Sequence, residues 1–249
     1  MIFKNKVAII TGATSGMGYA TALRLAQKGA HVGLVARSAD NLQRVAQEIA
    51  EFGGQALPMS TDVTNRVQVE TAVERVLDEY GQIDILVNSA FWGPPGNLEE
   101  TTEPFWDRTL DTCLKGPYLF TRAVFPAMRK QGQGRIVMIG SLAGKVGEDN
   151  RTAYCAAKWG LEGLTAALQE ELPKYNIHVH LISPGATNTP FWSPYNPSSE
   201  ALERMIPPET VADAVCWVLQ TPDSVLIRDV PIHNYRNPFE GKSSPFADD

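Results

Sequence analysis

Cysteine is scarce in this chain of 249 residues: Cys113, Cys155 and Cys216 stand far apart with no paired spacing. That spacing offers neither a disulfide framework nor a zinc site, and no other metal-ligand cluster stands out. Buried or idle thiols in a reducing cytoplasm are the expectation. No apolar run approaches the roughly 18 residues that a membrane-spanning helix needs. Basic clusters are missing too, and a net charge of −6 at pH 7 argues against a nucleic-acid partner. Between Met1 and a strand-like run that starts at Val7 there is no room for a secretory leader. There is no internal repeat, linker or break in composition, so the whole chain, 1–249, reads as one domain. With 43% hydrophobic and 20% charged residues, it has ordinary globular composition and length enough for a large core.

What is present is an alternation. Short apolar runs predict strands at residues 7–10, 31–36, 56–60, 83–87, 135–139 and 178–182. Periodic stretches predict helices at 19–28, 39–52, 67–80, about 151–172 and 209–219. Continuous apolar strands separated by helices imply the α/β class, with a doubly wound parallel sheet of about seven strands covered on both faces. Two segments break the rhythm: 91–97, rich in Gly and Pro, and 184–208, which carries six prolines. Irregular segments at strand ends of such a sheet usually surround a ligand.

The first strand runs into Thr11-Gly12-Ala13-Thr14-Ser15-Gly16-Met17-Gly18. Gly12 permits a tight turn, while Gly16 and Gly18 let backbone approach a phosphate and helix approach strand. Amides opening the next helix would face a pyrophosphate. A plain turn is the competing reading. The second strand ends in Val35-Ala36-Arg37-Ser38, without the carboxylate that NAD sites place against the ribose 2′-OH. Arg37 offers a planar fork suited to a 2′-phosphate and Ser38 a hydroxyl, so NADP(H) is preferred over NAD(H). The bland alternative is a surface arginine beginning a turn.

Tyr154-Cys155-Ala156-Ala157-Lys158 lies in the predicted helix 151–172, whose stripe is Ala153, Ala157, Gly160, Leu161, Leu164 and Leu168. Residues four apart share a helix face, so the phenol and the ammonium are neighbours. A cation roughly 4 Å away, at an effective dielectric of ~20, favours phenolate by about 4 kcal/mol. That would bring a tyrosine toward neutral pH, where general acids and bases work best. Alone, such a pair is usually a surface contact. Its company here is the glycine turn.

Together these motifs resemble the short-chain dehydrogenase/reductase family over nearly the whole length, which implies a Rossmann-type sheet. The glycine turn matches the family's TGxxxGxG. Asp62, followed by Val63, matches its adenine-contacting Asp, and Asn88-Ser89-Ala90-Phe91 corresponds to its NNAG segment. Ser141 stands thirteen positions before Tyr154, as the family serine does. Pro184-Gly185 matches its Pro-Gly segment, with Thr187 following and Thr189 in the usual threonine position. The resemblance implies dinucleotide contacts from Gly12, Thr14, Ser15, Gly16, Met17, Gly18, Asp62, Val63, Asn88, Ala90, Tyr154, Lys158, Pro184, Gly185, Thr187 and Thr189. It also implies a cofactor half of roughly 1–140 and a catalytic half of roughly 141–249. Residues 225–230 resemble the closing strand of an NADP-preferring subgroup.

The activity implied is hydride transfer between nicotinamide C4 and a carbonyl carbon. In it Ser141 holds the substrate oxygen, Tyr154 moves the proton, and Lys158 holds the ribose and acidifies the tyrosine. The partners implied are a small carbonyl or alcohol compound and further copies of the chain, as a dimer or tetramer through the helices around Tyr118 and Tyr154. Two departures stand out. Cys113 occupies the place of the family asparagine that holds a relay water, leaving the relay slower, rerouted or absent. An NADP(H)-binding sensor or scaffold with little turnover is therefore the second hypothesis. A packed thiol is favoured over a nucleophile, because no His lies nearby in sequence. Phe91 replaces the last glycine of NNAG, narrowing the pocket or forming its apolar wall. Phe91, Trp92, Phe191, Trp192 and Tyr195 suggest an aromatic substrate or a lid. Loop packing or a subunit contact explains them equally well. Glu148, Asp149 and Asn150 are substrate contacts or a solvated loop.

Overall fold

Strands buried on both faces must sit in the middle layer of a sandwich, and the apolar runs do so. In a computed structural model that describes residues 1–240, the strands are β1 (Val7–Thr11), β2 (His31–Ala36), β3 (Gln55–Ser60), β4 (Ile85–Asn88), β5 (Gly134–Ile139), β6 (Ile177–Pro184) and β7 (Asp229–Ile232). The helices are α1 (Gly16–Gln27), α2 (Ala39–Glu51), α3 (Arg66–Tyr80), α4 (Glu103–Leu110), α5 (Gly116–Gln131), α6 (Thr152–Glu171), α7 (Ser199–Arg204) and α8 (Pro208–Val218). Among the described residues the strands form one sheet of seven in the order β3-β2-β1-β4-β5-β6-β7, every pair parallel.

Alternation along each strand divides the core in two. Ala8, Ile10, Leu34 and Val87 face α1, α2 and α8, where Leu25, Val45 and Val215 meet them. Ile9, Leu86, Ile136 and Leu181 face α3, α5 and α6, against Val73, Phe120 and Leu161. Each such buried Val, Leu, Ile or Phe side chain contributes roughly 1.5–3 kcal/mol relative to exposure. The strand order reverses between β1 and β4, so their carboxyl ends part toward helices on opposite faces. The crevice left there is where ligands bind in open α/β sheets.

The predicted elements are all found, with shifted edges. β4 starts two residues later than predicted, because the Gln131 side chain takes both backbone groups of Ile83: its amide at 3.0 Å and its carbonyl at 2.9 Å. The closing strand is Asp229–Ile232, not 225–230. Before it, the Ile227 carbonyl goes to a side chain, 2.7 Å from His180 Nδ1, while the Arg228 carbonyl accepts both from Leu181 N of β6 at 3.0 Å and from Gln169 Nε2 at 2.8 Å. Segment 184–208 is not wholly irregular: it holds a 3-10 turn (Pro190–Tyr195) and α7. On α6 the fully buried stripe is Ala153, Ala157, Leu161, Thr165 and Gln169. Gly160, Leu164 and Leu168 are only half-buried.

Candidate active site

The glycine turn is shaped by contacts that no larger residue permits. Gly12 and Gly16 have φ of 69° and 55°, in the left-handed region that favours glycine. A Cβ on Gly12 would stand 2.9 Å from Ala90 Cα, and one on Gly18 would collide with the Gly12 carbonyl oxygen. Thr11 Oγ1 accepts from the Ser89 and Ala90 amides, both at 3.0 Å, tying the turn to the end of β4. The Ser15 side chain does not cap α1, and no acidic residue lies in the helix's first turn. The opening amides of α1 thus face the crevice as an anion-binding end.

That crevice is a cavity of about 380 Å³. Gly12, Thr14, Ser15, Gly16, Met17 and Gly18 line one side of it, and Asp62, Val63, Ala90 and Thr189 the other. Exposed Arg37 and Ser38 stand at its edge. Ser38 Oγ also caps α2, accepting from Asn41 N at 3.3 Å. Asp62 Oδ1 accepts from the Thr64 amide and hydroxyl at 2.9 and 2.8 Å, which rigidifies that corner. This bare glycine cradle, an unopposed helix start and a flanking arginine fit a dinucleotide phosphate chain. Asn88 is the exception among the predicted contacts, because it lines neither this cavity nor the next. It is 3% exposed and its Nδ2 donates toward Thr121 Oγ1 and Met138 Sδ, supporting β4 from behind. Arg108 and Thr112 line the crevice without having been singled out in the sequence.

A second cavity of about 400 Å³ continues the first, sharing Met17, Ser89, Phe91, Thr189 and Phe191 with it. Ser141, Tyr154 and Lys158 all line it, as do Pro184, Gly185 and Thr187. Lys158 is 4% exposed, and its Nζ donates to Ile139 O at 2.7 Å while lying 5.7 Å from the centre of the Tyr154 ring. Ser141 Oγ accepts from Ala143 N at 3.2 Å, capping the 3-10 turn Leu142–Gly144, and keeps its own proton to donate.

Aromatic side chains form one wall of the cavity. The Phe91 ring meets Tyr154 edge-on at 5.4 Å and Phe191 at 5.2 Å. Trp192 is buried, its Nε1 donating to Thr187 O at 2.9 Å, with Phe239 against its ring at 5.0 Å. Two of the five predicted aromatics lie elsewhere. Trp92 lines the crevice, stacked under the Arg108 guanidinium at 4.2 Å. Tyr195 packs on Phe191 and Trp192 and lines neither cavity. Glu148 and Asp149 line the second cavity, whereas Asn150 does not. Arg151 joins them there with its guanidinium carbon 3.9 Å from the Tyr154 ring centre. The one cue to Arg151 in the sequence is its place one helical turn before that tyrosine.

Cys113 sits in a π-helical turn, Asp111–Lys115, wedged between α4 and α5. Its Sγ donates to Trp92 O at 3.2 Å, and burial pushes the thiol up from its ordinary value against the pull of Lys158 and Arg151. A protonated thiol occupied with a carbonyl is no nucleophile.

Residues 6–200 match the family model described as short chain dehydrogenase. The chain belongs to the short-chain dehydrogenase family. As a short-chain dehydrogenase it is an oxidoreductase that uses a nicotinamide dinucleotide. It is 40% identical over 192 residues, 77% of each chain, to the (2S)-[(R)-hydroxy(phenyl)methyl]succinyl-CoA dehydrogenase subunit BbsD of Thauera aromatica. An uncharacterized oxidoreductase of Staphylococcus aureus strain N315 is 32% identical over 93% of this chain and 98% of its own. Among solved structures, a metagenomic short-chain oxidoreductase in complex with NADP superposes with a TM-score of 0.83 at 33% identity, covering 95% of this chain and 100% of that one. Levodione reductase superposes at 0.85 with 31% identity, covering 92% and 96%.

Proposed function

We propose that this short-chain dehydrogenase is an NADP(H)-dependent oxidoreductase that interconverts a carbonyl compound and a secondary alcohol, on a largely apolar or aromatic substrate. The observation that carries this reading is the continuity of the two cavities: the glycine cradle opens through Met17 and Thr189 into the space lined by Ser141, Tyr154 and Lys158. Cofactor contacts come mainly from residues before 140 and proton-transfer groups from those after it. Support for NADP(H) over NAD(H) is the absence of a carboxylate after β2, where Arg37 stands. The NADP held by a structural neighbour agrees with this. Support for the substrate class is the wall of Phe91, Phe191 and Trp192. A phenyl group in the substrate named for the Thauera relative points the same way.

The nicotinamide, when bound, supplies or accepts the hydride at the carbonyl carbon. The chain's residues do the rest. Ser141 donates to the substrate oxygen, stabilising the negative charge that grows on it. Tyr154 gives its phenolic proton to that oxygen in reduction and takes it back in oxidation. Lys158, anchored on Ile139 O, keeps a positive charge beside the phenol through both states. The apolar ring wall shields one side of the site from water, which strengthens the contacts beside it. The exposed Tyr118 and Trp159 on α5 and α6 support self-association, and three free thiols suit a reducing compartment such as the cytoplasm.

The test is NADPH oxidation across aromatic ketones, diketones and quinones, with Tyr154→Phe as control. Turnover by the native enzyme, falling about 10²–10⁴-fold in the variant with NADPH binding intact, is expected. Tight NADPH binding without turnover of any compound would replace the enzyme with a sensor.

A further inference from the structure

The cation nearest the Tyr154 ring is not Lys158. The Arg151 guanidinium carbon lies 3.9 Å from the ring centre, against 5.7 Å for Lys158 Nζ. Arg151 is 6% exposed, so this contact is largely shielded from water. The backbone builds it into place. Asn150, immediately before, takes a left-handed φ of 56°, and its carbonyl accepts from Gly96 N at 2.8 Å. Arg151 itself pairs with Gly96 in a parallel bridge. It is the N-cap residue of α6, yet its side chain makes no capping hydrogen bond. Its guanidinium lies over two rings, Tyr154 and, at 5.6 Å, Phe191. Phe91 touches both of those rings edge-on and closes the cycle. Beneath Tyr154, a Cβ on Gly93 would lie 3.0 Å from Cδ2, so the backbone there is packed against the ring.

We propose that Arg151 is a positioning residue for Tyr154, gripping one face of the phenol so that the ring cannot tilt and adding a second positive charge to it. This rests on the reading of Tyr154 as the proton-transfer group. A ring under the Arg151 guanidinium and in a T-shaped contact with Phe91 has little freedom to leave its working orientation, and orientation is a large part of catalytic rate. A cation over the ring also interacts more strongly with a phenolate, whose charge spreads into the ring, than with a phenol. The contact therefore strengthens as the proton leaves, the condition for an interaction to raise kcat rather than lower KM. Because Arg151 also touches Phe191, the loop that forms the substrate wall is linked to the proton donor through one side chain.

The experiment uses the full-length protein with NADPH and its best ketone. Arg151→Met should lower kcat about tenfold, the size of a desolvated cation–π contact, with both KM values within about twofold. Arg151→Lys should restore kcat to within about threefold, since an ammonium can occupy the same ring face. In a Tyr154→Phe background, Arg151→Met should cost nothing further. Labelling with 3-fluorotyrosine adds a readout free of turnover: the ¹⁹F resonance lost in Tyr154→Phe should shift and narrow in Arg151→Met and stay near its original position in Arg151→Lys. An unchanged kcat, additive losses in the double variant, or an unmoved resonance would overturn the proposal. So would a rise in KM for acidic ketones alone, which would make Arg151 a substrate anchor. If the native protein reduces no carbonyl compound, the oxidoreductase reading fails, while the ¹⁹F spectra still decide the grip.

Discussion

Cys113 donates its thiol proton to the carbonyl oxygen of Trp92, 3.2 Å away. The pairing ties the π-turn between α4 and α5 to the irregular segment that carries the cavity's aromatic rings. The residue that departs from the family pattern is thus absorbed into the architecture of the wall, with its proton retained.

Replacing that thiol should be tolerated. Cys113→Asn is expected to keep kcat unchanged or to raise it, since the amide can still donate to Trp92 O and its oxygen is a stronger acceptor than sulfur. A folded but inactive variant would show a role for sulfur. In the native protein iodoacetamide should label half-buried Cys155 well before buried Cys113 and Cys216, all three reacting after denaturation, as mass spectrometry would read.

Arg37 governs the choice between the two dinucleotides in the proposed reading. Arg37→Asp should weaken NADPH by about 10–150-fold, the worth of roughly 1.5–3 kcal/mol for hydrogen bonds to a charged group. NADH affinity should change only a few-fold. Equal losses in the two fluorescence titrations would remove the 2′-phosphate contact from consideration.

Two glycines should respond in opposite directions to alanine. At Gly18 the new methyl would strike the Gly12 carbonyl oxygen, so Gly18→Ala should destabilise by roughly 1–3 kcal/mol and impair dinucleotide binding. Gly163, exposed on α6, has no atom within 4 Å of the added carbon, so Gly163→Ala should stabilise by roughly 0.5–1 kcal/mol. Thermal melts of the two variants check both signs.

Acid should loosen the sheet at β6. His180 is fully buried, its Nδ1–H donates to Ile227 O at 2.7 Å, and Nε2 has no hydrogen-bond partner among the described residues. Burial, with Arg135 and His178 adding to it, pushes this imidazole down from 6.5 to about 4. Below pH 6.5 the unfolded chain therefore binds the proton that the folded one refuses. The stability held at neutral pH is lost as pH falls from about 6.5 toward 4, by up to about 3 kcal/mol. Urea unfolding of His180→Asn should show a shallower decline over that window than the native protein; parallel curves would assign the acid loss to carboxylates.

Phe91→Gly, which restores the smaller residue of the family motif, should remove a T-shaped ring contact from Tyr154 and another from Phe191. Losing two ring contacts at roughly 0.5–1.5 kcal/mol each should lower kcat/KM for aromatic ketones by about 10–100-fold. Small aliphatic ketones should be affected less, which a substrate series would reveal.

The strands and the glycine turn could be read from the chain because they obey local rules. Ile9 and Ile10 must both be apolar when a strand is covered on both sides, and the glycine turn answers to its own backbone, through a left-handed φ at Gly12 and the Gly12 carbonyl that faces Gly18. Tyr154 and Lys158 likewise share a helix, so their adjacency is written in a spacing of four. Illegible features depend on partners far along the chain. Gln131 moves the start of β4 from 48 residues away. The resting place of Asn88 depends on Thr121 and Met138. Arg151 is set toward its ring by the bond from Gly96 N to the carbonyl of Asn150 beside it. Nothing periodic announces such pairings, nor the π-turn at Asp111–Lys115 that joins α4 to α5.

The strand order has a bearing on how the protein is made. β1 is flanked by β2 and β4, and residues 85–88 leave the ribosome long after residues 7–11. Until they do, one edge of the central strand stays open and the glycine turn lacks Ser89 and Ala90, the donors to Thr11. Long-range parallel pairing of this kind closes slowly and leaves unpaired edges prone to sticking. The glycine turn is therefore complete only once Ser89 and Ala90 have been synthesised, and bound dinucleotide can add to stability only from that point.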